Sequence, residues 1–244
     1  MNYKAVLQYD GTRYRGWQTQ GNTDNTIQGK LETLLTKMAG EPVEVNGSGR
    51  TDAGVHAAGQ VISFRCKTKE SPEEICRYMN EYLPEDIAVL TVEEAAPRFH
   101  ARLNAVRKTY VYRIWNAPIR NVFCRRFTTW IQKPLDLDAM EQAATLLCGT
   151  HDYRAFCSLK KFKKSTVRTI EKIEIGKMGQ EIRISYTGDG FLYHMVRILT
   201  GTLVEVGLGL RKPEEMTEIL EGQDRTKAGR LMPPEGLTLE SVEY

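Results

Sequence analysis

Apolar and polar side chains alternate from Tyr3 to Tyr9, the two-residue period of a half-buried strand. Asn25-Thr26-Ile27-Gln28 reads as a capping box. Ile27, Leu31, Leu34, Leu35 and Met38 follow at helical spacing, and Gly40 is the expected stop. Val43–Val45 and Gln60–Cys66 read as strands. Ser71-Pro72-Glu73-Glu74 combines an N-cap, a proline at the first helical position and a box glutamate, opening a helix to about Leu83. Ile87–Val92 reads as another strand.

The second half repeats this alternation. Thr109–Trp115 and Phe127–Ile131 read as strands, and Asp138-Ala139-Met140-Glu141 opens a helix that stops at Gly149. Thr169–Ile175 and Glu181–Thr187 read as a hairpin turning at Met178-Gly179-Gln180. Phe191–Val206 reads as a mostly apolar helix, Pro213–Leu220 as a short helix and Leu237–Tyr244 as a closing strand. Trp17, Trp115 and Trp130 are expected in the core. Strand runs between helices favour an α+β fold with largely antiparallel sheets over a doubly wound one. Two βαβ-like halves, 1–103 and 104–244, are expected to meet near residues 100–108.

The length of 244 residues suits one large domain or two small ones. No apolar run approaches the ~20 residues that span a bilayer. The N-terminus enters a strand pattern without an apolar signal segment, so a cytoplasmic protein with no membrane partner is expected. The five cysteines are odd in number and show no C-x-x-C spacing, and the four histidines lie far apart. Neither a disulfide framework nor a metal site is expected.

The net charge is only +3, yet the charges are segregated. Ala95–Leu135 contains no acid and carries Arg98, Arg102, Arg107, Lys108, Arg113, Arg120, Arg125, Arg126 and Lys133. Tyr153–Ile170 is also acid-free and holds Arg154, Lys160, Lys161, Lys163, Lys164 and Arg168. Each run alone reads as a solvated face. Two such stretches, both rich in aromatics, point to a polyanion partner such as nucleic acid.

The most informative segment is Gly47-Ser48-Gly49-Arg50-Thr51-Asp52-Ala53-Gly54-Val55-His56-Ala57. Three glycines in eight residues permit a loop of unusual dihedral angles. Such a loop can expose Asp52 in a cleft while Arg50 meets a phosphate or the acid itself. It can equally be a tight turn in which Asp52 accepts local hydrogen bonds.

This segment resembles the G-R-T-D-x-G-V-H-A signature of the TruA family of tRNA pseudouridine synthases. Tyr9-Asp10-Gly11-Thr12-Arg13-Tyr14-Arg15-Gly16-Trp17-Gln18 resembles the family's N-terminal Y-D-G-T-x-Y-x-G-W-Q. Phe99-His100-Ala101-Arg102, Lys108–Ile114 and Gly190-Phe191-Leu192-Tyr193-His194-Met195-Val196-Arg197 match three further motifs, so the resemblance covers almost the whole chain.

The resemblance implies two ferredoxin-like halves flanking a basic RNA cleft, a homodimer, tRNA as partner, and no metal or organic cofactor. It implies Asp52 as the catalytic carboxylate, with Tyr110, Arg197 and Arg50 binding substrate. Phe99, His100, Ala101, Arg102, Leu103, Arg107, Lys108 and Arg168 are expected along the RNA, as are Lys160, Lys161, Lys163 and Lys164. The implied reaction is isomerisation of uridine in the tRNA anticodon stem-loop, by default at U38, U39 and U40. It breaks a C1′–N1 bond and makes a C1′–C5 bond, so nothing is oxidised or added overall. One carboxylate can serve as nucleophile or base, and a nearby arginine would keep it ionised. His56, His100 and His194 are expected to be structural or to contact RNA.

Asp189, Ile198, Arg230-Leu231-Met232-Pro233-Pro234 and Thr238 depart from the family's usual residues. They leave Asp52, Tyr110 and Arg197 in place but open the choice of RNA target. A silent RNA-binding protein of the same fold and a metal-dependent hydrolase are the rival readings. The second would need several converging acids or histidines, and the key loop offers one.

Overall fold

A computed structural model describes residues 1–244. Along the chain run β1 (Asn2–Tyr9), α1 (Ile27–Ala39), β2 (Val45–Gly47), β3 (His56–Arg65), α2 (Pro72–Tyr82) and β4 (Ile87–Glu94). Next come β5 (Arg107–Asn116), β6 (Thr129–Ile131), α3 (Leu137–Leu146), β7 (Gly149–Asp152), β8 (Val167–Met178) and β9 (Glu181–Gly188). The chain ends with α4 (Met195–Gly207), α5 (Glu215–Gly222) and β10 (Leu237–Glu243). The α+β class with mostly antiparallel pairing is therefore observed.

The chain forms two compact units, Met1–Val106 with Thr238–Tyr244, and Arg107–Leu237. The first contains a βαββαβ arrangement with strand order β4-β1-β3, and β2 continues it along β3. Tyr3, Ala5, Leu7, Ile62 and Phe64 supply its sheet core; Leu31, Leu35, Ile75 and Met79 supply the helical side. In the second unit β5, β9, β8 and β7 are adjacent in that order, with β6 parallel to β5. Tyr112, Ile182, Ile184, Tyr186, Met140, Leu199 and Leu203 are buried there.

The units differ from the expected halves 1–103 and 104–244 in two ways. The first boundary falls at Val106, and β10 belongs with the first unit. The reason is its parallel pairing with β3, in which Thr238 faces His56 and Leu239 faces Ala57.

Local chemistry explains most element ends. Ser71 and Glu74 form a complete capping box at α2, with Pro72 in the first turn. At α1 the cap is Thr26, whose side chain accepts from Gly29 N–H, so the expected box at Asn25 does not form. Gly40 ends that helix in the left-handed region at φ 69°. The expected helix over 191–206 starts later, at Met195, because His194 turns through the left-handed region at φ 65°. Nδ1 of His194 lies 2.8 Å from Ser158 Oγ, and Tyr193 stacks on its ring. Of the three tryptophans only Trp17 is fully in the core; Trp115 and Trp130 are half-buried. Arg120 covers the Trp130 ring at 4.4 Å.

Candidate active site

In the first unit, the segment between β2 and β3 carries Arg50 and Asp52. The N-terminal motif forms its bed. Ser48 N–H donates to Val61 O at 2.8 Å, and Trp17 N–H donates to Thr51 O at 3.0 Å. Gly11 and Gly16 have to be glycine. A Cβ on Gly11 would lie 2.0 Å from Val55 O; one on Gly16, where φ is 95°, would lie 2.8 Å from Thr51 O. Gly47 likewise abuts the Trp17 ring.

Buried polar groups hold the same loop from below. The Tyr9 hydroxyl lies 2.8 Å from Thr51 Oγ1. Gln60 Nε2 donates to Gly49 O at 2.9 Å and its Oε1 accepts from Ser48 Oγ at 2.6 Å. Burial pushes the Tyr9 phenol up to about 12, against the opposing effect of its Thr51 and Gln60 hydrogen bonds, so it stays protonated. His56 is buried, and its Nδ1 accepts from Gly11 N–H at 3.0 Å. These contacts leave Asp52 half-exposed and Arg50 exposed on an immobilised turn.

The residues 99–103 form a second turn of this unit. Ala101 is fully buried, with its N–H donating to Ser63 Oγ at 3.0 Å and its carbonyl accepting from Tyr244 Oη at 2.7 Å. Phe99 packs on the Tyr244 ring at 5.0 Å. His100 and Arg102 are thereby placed on one cleft with Arg50, while Leu103 is exposed.

The second unit holds the other expected residues. Tyr110 is buried on β5, with Phe191 edge-on at 5.3 Å. Arg197 is 8% exposed on α4, and its Nε donates to Met232 O at 2.7 Å. Lys108 faces Gly188 across β5 and β9. Arg107 is ion-paired with Glu171 at 2.7 Å, and Arg168 lies against Gly190. Lys160, Lys161, Lys163 and Lys164 are exposed, and Phe162 between them sits under Arg154 at 5.3 Å. No group of three or more His, Cys, Asp or Glu side chains could hold a metal ion, and no helix is long and apolar enough to cross a membrane.

A family profile described as tRNA pseudouridine synthase matches residues 5–104 and 143–244. The chain belongs to this family. It is 48% identical over 243 residues to a tRNA pseudouridine synthase A of Bacillus sp. (strain KSM-64), covering 100% of this chain and 99% of that one. Identity is 46% over 241 residues to the tRNA pseudouridine synthase A of Brevibacillus brevis, at 99% and 98% coverage. It is 44% over 243 residues to the tRNA pseudouridine synthase A 1 of Clostridium tetani, at 100% and 99% coverage.

Apart from Thr238, which pairs with His56 in the first unit, the residues in which this pseudouridine synthase departs from the usual pattern have structural work in the second unit. Asp189 Oδ1 accepts from Thr169 N–H at 3.0 Å, and Ile198 is buried in α4. The segment 229–233 backs α4: Gly201 faces Arg230 O so closely that a Cβ would lie 1.9 Å from it. Pro233 O accepts from the Tyr112 hydroxyl at 2.7 Å. Sequence reasoning passed over Tyr9, Thr51 and Gln60 as supports of the loop, and Gln18, Gln28 and Asn46 as walls of the Arg50 cleft. Tyr9, Thr51 and Gln18 stand inside the quoted motifs, and that was the signal that could have found them.

Proposed function

We propose that this chain isomerises uridine to pseudouridine in the anticodon stem-loop of tRNA, at U38, U39 and U40, with Asp52 as nucleophile or base. The observation that carries this reading is the rigid presentation of a half-exposed carboxylate beside an exposed guanidinium, on a loop clamped by Tyr9, Trp17 and Gln60. Preorganisation of this kind places a reacting group without a reorganisation cost at the moment of reaction. The reaction breaks C1′–N1, turns the base, forms C1′–C5 and exchanges the C5 hydrogen for one on N1. Tyr110 is assigned to the target base and Arg197 to binding the substrate, as the family resemblance implies. Residues 99–103, Arg107, Lys108, Arg168 and the lysines of 160–164 are assigned to the RNA backbone, in a homodimer acting in the cytoplasm.

The test is to incubate unmodified tRNA transcripts with the protein and map pseudouridine at each uridine. Modification at positions 38–40 supports the reading, and modification confined to other positions contradicts it.

A further inference from the structure

One cleft of about 200 Å³ in the first unit is lined by Trp17, Gln18 and Gln28, by Glu44 and Asn46, and by Arg50, His100 and Arg102. That is below the ~300–1,000 Å³ of a drug-sized ligand site, and suits one nucleotide at most, with its backbone at the open side. Its floor is rigid. Gln28 Oε1 accepts from Gln18 Nε2 at 2.8 Å and from Thr19 N–H at 3.1 Å, while its Nε2 donates to Glu32 at 2.8 Å and Val45 O at 3.2 Å.

The walls, by contrast, present unused hydrogen-bonding groups. Gln18 spends its Nε2 on Gln28, which leaves its carbonyl oxygen as an acceptor with no protein donor. His100 Nδ1 accepts from Arg102 N–H at 3.1 Å, so the neutral ring carries its proton on Nε2 and can donate. The side chains of Glu44, Asn46, Arg50 and Arg102 form no hydrogen bond or ion pair within the protein. Two guanidinium groups, an imidazole donor, an amide and two acceptors thus meet in one small, preformed space.

We propose that this cleft, which borders the Asp52 loop through Arg50, is a one-nucleotide RNA subsite for a nucleotide other than the target uridine. It takes a nucleotide displaced from its stack, with Arg50 and Arg102 on the phosphate and Asn46 and Gln18 on the base edge. The acceptors Gln18 Oε1 and Glu44 call for an exocyclic amino group. Cytosine, adenine and guanine carry one; uracil has none, and its single edge donor, N3–H, is flanked by two carbonyl oxygens that would meet those acceptors. This inference rests on the tRNA reading above.

The experiment titrates the full-length ¹⁵N-labelled protein with 5′-CMP, 5′-UMP and inorganic phosphate, and follows the indole N–H signals. Trp17 lines the cleft, and Trp115 and Trp130 in the second unit are controls. CMP should shift Trp17 alone and saturate near ~1 mM, the range of a single small contact. UMP should bind at least about fivefold more weakly, and Asn46→Ala should weaken CMP by a similar factor. Asn46→Ala should also raise KM for tRNA with kcat nearly kept, the mark of uniform binding. The proposal is overturned if Trp17 does not respond, if CMP and UMP act alike, or if phosphate alone reproduces the shift. It is also overturned if Asn46→Ala changes neither CMP binding nor KM. CMP binding without any turnover of tRNA would overturn the functional reading and leave the subsite standing.

Discussion

The hydroxyl of Tyr9 lies 2.8 Å from Oγ1 of Thr51, the residue that immediately precedes Asp52. The contact joins the first residue of the N-terminal motif to the carboxylate loop across 42 residues of sequence. It is buried, and Gln60 ties the same hydroxyl into the hydrogen bonds of Ser48 and Gly49. The loop is thus positioned by the fold's interior and not by the solvent-facing residues of the turn.

Tyr9→Phe removes this hydroxyl and keeps the ring. The loss should cost about 1–2 kcal/mol of stability, because Thr51 and Gln60 lose a buried partner. It should lower kcat while leaving KM for tRNA nearly unchanged, since Asp52 shifts but the RNA-facing side chains do not. Denaturant titration and steady-state kinetics read the two effects separately.

Gly11→Ala should be among the most disruptive single methyl additions, because its Cβ would lie 2.0 Å from Val55 O. Backbone cannot yield as a side-chain tip can, so a cost of about 2 kcal/mol or more is expected. Gly21→Ala, with nothing within 4 Å of the added atom, should be nearly neutral. Paired thermal melts of the two variants make the comparison.

Glu181 in the second unit is ion-paired with Arg113 at 2.8 Å and Arg183 at 2.6 Å. Its hydrogen bond from Arg113 is the largest cause of a carboxyl held below the ordinary glutamate value of about 4.3. A depressed folded value means that the stabilisation is present above pH ~4.3 and is lost as pH falls through the folded value. Glu181→Gln should therefore be less stable than the wild type at neutral pH, with the gap narrowing below pH ~4. Denaturant unfolding at several pH values checks the sign.

What could be read along the chain was what is local. The Ser71 box, Pro72 and the Gly179 turn use neighbours within three residues, and the structure has them where expected. At α1 the competition was not local: Gln28 is spent on Gln18, Thr19, Glu32 and Val45, 4 to 17 residues away, and is not free to cap. The apolar run from Phe191 hid the left-handed turn at His194, since apolar periodicity does not report a single backbone angle. The place of β10 depends on a partner strand some 180 residues away in the chain. Asp52 and Arg50 stood out through their motif. Gln18 and Asn46 did not, because uncharged amides carry no pattern until a fold brings them together.

Lys160, Lys161, Lys163 and Lys164 are solvent-exposed in an acid-free segment. Replacing all four by alanine should weaken tRNA binding and flatten its salt dependence, by up to about 0.9 in the logarithmic slope for each phosphate that is no longer neutralised. Different tRNAs should be affected about equally, because phosphates carry no base identity. Filter binding at several salt concentrations tests this; an unchanged affinity and slope would make the lysines a solvated surface only.

The central claim is that Asp52 carries the chemistry, and Asp52→Asn tests it most directly. The measurement is tritium release from tRNA labelled at uracil C5, made alongside tRNA binding by the same variant. The account predicts intact binding and a loss of turnover beyond about 10³-fold, as for removal of an essential group. Turnover within about tenfold of the wild type, in a folded variant that still binds tRNA, would contradict it.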